Sequence, residues 1–96
     1  MGASVTTPHE ITPLQFADEE VKTMCYSVKG QVEQKTGKKY DTFEAKSFKT
    51  QDLDHGTSYF ITVQVGANEH VDMYVIKELS GQLIVQGVQE FKEPQS

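Results

Sequence analysis

From residue 40 to residue 91 the chain mostly alternates apolar and polar side chains with a period of two, in runs separated by short polar turns. Tyr59, Ile61, Val63 and Val65 point one way, while Ser58, Thr62 and Gln64 point the other. Val71, Met73 and Val75 mark a further run of the same kind. Strands buried on both faces read as continuous apolar stretches, so strands that are apolar on one face predict an antiparallel sheet covered on one side. Such a sheet needs a second layer, and the chain before residue 40 must supply it.

That preceding stretch has helical spacing. Val21, Cys25, Val28 and Val32 step by four, three and four, Met24 sits beside them, and Leu14, Val21 and Val28 repeat at seven. One apolar stripe of this kind predicts a helix lying on a flat surface. Thr12 reads as its N-cap, Pro13 as the first helical residue and Gln15 as a capping-box partner, with Asp18, Glu19 and Glu20 near the positive end of the dipole. The helix is predicted to end near Lys35, with Gly37 as C-cap. Gly30 costs about 0.5–1 kcal/mol relative to Ala and reads as a point of close approach to the sheet.

Strands are predicted over residues 40–50, 57–65, around Val71, Met73 and Val75, and over 83–91. Phe43 and Ala45 share a face that Phe48 does not, which predicts a bulge or bend in the first strand. Gly66, Ala67, Asn68 and Glu69 form one turn, and Leu79, Ser80, Gly81 and Gln82 a tight hairpin. The fold class is α+β. Residues 1–11 read as a flexible N-terminal segment and residues 12–96 as a single domain, the size that 96 residues permit.

Composition excludes several roles. The net charge is −5 and there is no Arg, the preferred ligand of phosphate and guanine, so nucleic acid is not an expected partner. One cysteine, Cys25, allows no internal disulfide. No apolar run reaches the ~18 residues of a membrane span, and no leader pattern is visible. The expected location is the cytoplasm. Met1-Gly2-Ala3-Ser4-Val5-Thr6 fits a loose myristoylation pattern, but without a polybasic run it reads as a plain tail.

Candidate chemistry is sparse. Gly37-Lys38-Lys39 lacks the spacing of a phosphate loop and reads as a helix end. Cys25 lies on the apolar stripe, where a thiol behaves as a small hydrophobe rather than a nucleophile. Asp52, Asp54 and His55 stand within one turn. They do not make a metal site or an acid–base pair by themselves, since His9 and His70 are remote in sequence, and they read as a solvated hairpin tip. No cofactor and no enzymatic activity are expected.

Three strings carry a resemblance: Val32-Glu33-Gln34-Lys35-Thr36-Gly37-Lys38-Lys39-Tyr40, Lys46-Ser47-Phe48-Lys49-Thr50-Gln51, and Gly56-Thr57-Ser58-Tyr59-Phe60-Ile61-Thr62-Val63. In this order they resemble the stefins, the cytosolic type 1 cystatins that inhibit papain-like cysteine proteases. The likeness covers about residues 17–91. It implies a cystatin-like fold, one long α-helix wrapped by a curved antiparallel sheet of four to five strands, the N-terminal segment adding a short edge strand. It also implies reversible, non-covalent occlusion of the active-site cleft of cathepsin-type proteases by an N-terminal trunk and two hairpin loops.

Carried onto this sequence, the first loop is Gln51, Asp52, Leu53, Asp54, His55 and Gly56. The second is Leu79, Ser80, Gly81 and Gln82, and the trunk is Pro8, His9, Glu10 and Ile11. All three depart from the family. The first loop should read Gln-Val-Val-Ala-Gly, whereas here it is longer and holds two carboxylates. His9 stands where a trunk glycine is expected, and the second loop is short and lacks the usual Pro or His. The alternative is therefore a stefin-fold interaction protein with weak or lost inhibition. A monomer is expected, and family hairpins that domain-swap would do so here about the first loop.

Overall fold

A computed structural model describes residues 11–92. The chain forms β1 (Gln15–Phe16), α1 (Glu19–Thr36), β2 (Glu44–Leu53), β3 (Gly56–Gly66), β4 (Glu69–Glu78) and β5 (Leu83–Lys92). The strands make one antiparallel sheet in the order β1-β2-β3-β4-β5, with α1 against one face, as the alternation requires.

The helix starts later than the sequence predicts. Asp18, not Thr12, is the N-cap; its carboxylate accepts a 2.9 Å hydrogen bond from the Val21 amide. Asp is a strong N-cap, and Glu19 and Glu20 complete an acidic first turn. Residues 12–17 stay extended because they close the edge of β2. The Thr12 amide donates to the Thr50 carbonyl at 2.8 Å, and Ala17 to Lys46 at 2.9 Å. Leu14 therefore leaves the helical stripe and lies 62 % exposed. The C-terminus follows prediction: Gly37 takes φ 75°, and its amide donates to Glu33 at 2.8 Å. Gly30 has open space where a Cβ would stand, so it makes no close approach to the sheet.

The stripe buries Val21, Met24, Cys25, Val28 and Val32 against Phe43, Ala45, Phe48, Ile61, Val63, Val71, Met73, Val75 and Val85. Each such aliphatic contributes roughly 1.5–3 kcal/mol. The predicted slip in the first strand is a bulge: Ala45 pairs with Val63 and Ser47 with Thr62, leaving Lys46 as the extra residue. Phe48 is thereby returned to the helix side, where it is buried. That strand begins at Glu44 rather than at residue 40, and Tyr40 packs ring to ring with Phe43 at 5.7 Å.

Two further register shifts interrupt the ladders, one between Gln64 and Gly66 and one between Tyr74 and Val75. Val75 pairs with Val85 and Tyr74 with Gly87, so Gln86 is extra. Ser58, predicted on the polar face, is fully buried there and shares a 3.2 Å hydrogen bond with the Tyr74 hydroxyl. The stacked Phe60 and Tyr74 rings, 5.0 Å apart, lie on the same outer face.

Candidate functional site

Strand direction gathers the predicted loops. β2 runs toward Leu53, β3 returns from Gly56, and β4 comes back to end at Glu78, which pairs with Gly56. The turn after β2 and the turn after β4 therefore stand side by side at one end of the sheet. Ala67 and Asn68, between β3 and β4, lie at the other.

The first tip is tighter than the sequence implied. Gln51, Asp52 and Leu53 remain in β2, paired with Ser58, Thr57 and Gly56, so the turn itself is Asp54 and His55. Asp52 is exposed and accepts from the Thr57 hydroxyl at 3.5 Å; Asp54 and His55 are exposed, Leu53 is half-buried and Gly56 is buried. Gly56 has to be glycine, because a Cβ there would run into the Lys77 carbonyl oxygen.

The second tip is Leu79, Ser80, Gly81 and Gln82, all exposed. Glu78 closes it from both sides: its amide donates to Gln82 at 2.9 Å, and its carbonyl accepts from Gly81 at 2.8 Å. Gly81 adopts φ 95°, in the region that favours glycine. Leu79 is 82 % exposed, a large apolar side chain held out by a closed turn. Its amide donates to the His55 carbonyl at 3.3 Å, so backbone joins the two tips directly.

The third element approaches from the side. Traced backward, Phe16, Gln15 and Thr12 pass Ser47, Phe48 and Thr50 in turn, which brings Ile11 to the Gln51 end of β2. Ile11 is half-exposed. Pro8, His9 and Glu10 of the trunk, and Gly2, lie outside the described residues.

Elsewhere the chemistry is structural. Burial pushes the Cys25 thiol from 9.0 up to about 12, the setting of an inert core cysteine. Glu90 holds Lys38 in its charged form through a 2.6 Å ion pair at the end remote from the tips. A groove of about 530 Å³ runs over the outer sheet face past Leu14, Phe60, Tyr74 and Gly87, with Lys49 and Asp72 as its charged members. Among the described residues no three His, Cys, Asp or Glu side chains cluster as a metal site would need, and no helix is long and apolar enough to cross a membrane.

The chain is similar to known proteins over most of its length. A family model described as "Cystatin domain" matches residues 10–95. The chain is 45% identical over 82 residues to cystatin-B of Oplegnathus fasciatus, covering 82% of this chain and 81% of that one. It is 39% identical over 79 residues to cystatin-A1 of Sus scrofa, covering 82% and 76%. It is 35% identical over 82 residues to the Sus scrofa protein named leukocyte cysteine proteinase inhibitor 1, covering 85% and 73%.

Proposed function

The chain belongs to the cystatin family, and on that premise we propose that it is a reversible, non-covalent inhibitor of papain-like cysteine proteases that fills their active-site cleft with the hairpin end of its sheet. Cysteine proteinase inhibition is what one relative carries in its name. The family's members are inhibitors and not enzymes. The observation that carries the reading is the bond from the Leu79 amide to the His55 carbonyl. It makes one rigid edge from two turns, and a preorganised edge loses little entropy on docking.

Within this reading the roles divide. Leu79 supplies apolar contact; Asp54 and His55 lead into the cleft; the trunk of Pro8, His9, Glu10 and Ile11 extends the edge on the β1 side. The targets are cathepsin-type proteases of the same compartment, the cytoplasm, and the inhibitor acts as a monomer. Asp52 and Asp54 work against affinity, because taking a carboxylate out of water into the cleft costs several kcal/mol.

Titrating papain with the purified chain against a fluorogenic peptide tests this. Reversible inhibition in the submicromolar range is expected, and replacing both acids (Asp52→Val with Asp54→Val) should tighten it. No inhibition at high micromolar concentration, by either chain, would leave the alternative of a cystatin-fold interaction protein.

A further inference from the structure

Every open sheet has two edges, and an edge strand offers unpaired backbone groups to any extended chain. On the β2 side the chain closes its own edge with β1, and Thr12 adds a side-chain clasp, its hydroxyl accepting from the Thr50 amide at 2.9 Å. Among the described residues, no strand follows β5 in the sheet order.

Of the two strands at the ends of the sheet order, β5 is the longer and is suited to pairing with a copy of itself. Residues 83–89, Leu-Ile-Val-Gln-Gly-Val-Gln, contain no charge and no proline. Short uncharged stretches rich in β-branched residues are the ones that add to one another. β2, the other long strand near an edge, is studded with Glu44, Lys46, Lys49 and Asp52.

The helix supplies what the sheet lacks. The side-chain amide of Gln31 donates from Nε2 to the Leu83 carbonyl at 3.2 Å, and its Oε1 accepts from the Val85 amide at 3.1 Å. One donor and one acceptor on a planar amide reproduce the pairing that a neighbouring strand would offer. Gln31 is itself exposed, so burial does not explain its presence on the helix.

We infer that Gln31 is a surrogate strand residue that closes the head of β5 and so prevents a second copy of this chain from pairing its own β5 there. The self-association site is the uncharged β5 edge, and its partner is the same strand of another molecule. This inference is independent of the protease-inhibitor reading.

The test uses the full chain and its Gln31→Ala variant. Amide exchange of Val85 should quicken about tenfold in dilute variant, the equivalent of losing roughly one hydrogen bond, while Val63 and Val71 on the central strands stay protected. In concentrated solution the variant should sediment as a dimer or larger species with β5 amides newly protected, while the parent stays monomeric. Adding Gln86→Lys, a charge at the exposed bulge of the same edge, should restore the monomer. Unchanged Val85 exchange would overturn the inference. So would a variant that stays monomeric, or a parent that already dimerises through β5. A dimer whose new protection lies at residues 51–56 would be a hinge swap and would overturn it equally.

Discussion

The helix-facing side of the sheet and its hairpin end are built from the same strands by opposite means. On the helix side, Val28, Val32, Ile61, Val63 and Val75 are at most 1% exposed, and side-chain shape sets the geometry. At the hairpin end Asp54, His55, Leu79 and Ser80 are exposed, and geometry comes from backbone: the Leu79–His55 bond, the Glu78 closure and the glycine at position 56. Packing therefore decides how stable the molecule is, while main-chain pairing decides what shape it presents. The side chains at the tips are then free to vary without unfolding the body.

The largest effect that would sharpen this contrast is Ile61→Ala. It should cost about 2–5 kcal/mol in urea unfolding through a cavity under the helix. Papain inhibition by the still-folded fraction should not change. A parallel loss of affinity would break the contrast.

Gly56→Ala belongs to both regions. Its Cβ meets the Lys77 carbonyl, so it should cost about 1–3 kcal/mol and weaken inhibition as well, by moving one tip away from the other. Unaltered stability with unaltered inhibition would show that the close approach is dispensable.

Leu79→Ala should do the reverse of Ile61→Ala. Stability should stay within about 0.5 kcal/mol, since the side chain touches solvent. Inhibition should weaken roughly ten- to a hundredfold if the protease buries this leucine. Equal inhibition constants for parent and variant would remove Leu79 from the contact.

The smallest effect concerns the body alone. The folded chain holds the Cys25 proton more tightly than the unfolded chain, with the thiol raised from 9.0 to about 12. Stability from this group is therefore complete below pH 9 and falls as pH rises from there toward 12. In Cys25→Ala that part of the decline should vanish, seen as a shallower loss of urea midpoint as pH rises above 9.0. Identical slopes for both chains would show that other groups govern the alkaline limb.

Most of the body was legible because periodicity reports burial directly. The stripe from Val21 to Val32, the Gly37 cap and the bulge before Phe48 each left a signature in spacing. The bulge at Gln86 left the same signature, Val85 and Val88 three apart on one face, and could have been found by the same reasoning. The helix start was misread because Thr12 and Pro13 fit a cap equally well as an edge segment. Which one forms depends on the unpaired groups at Lys46 and Thr50, a long-range fact. The first tip was read too wide for a related reason: turn residues such as Asp52 stay in a ladder while their partner, here Thr57, keeps pairing. Gln31 could not be recognised at all, since an exposed glutamine on a helix looks ordinary until the strand beside it is known.

The turn at Ala67 and Asn68 carries a practical consequence. Both residues are exposed, and the turn stands a full strand length away from the paired hairpins. Loop tips of this kind accept insertions and chemical labels with little disturbance. A tether anchored at Asn68 would leave the far edge unobstructed, so two molecules linked through it could engage two targets at once, with the linker length setting the local concentration of the second.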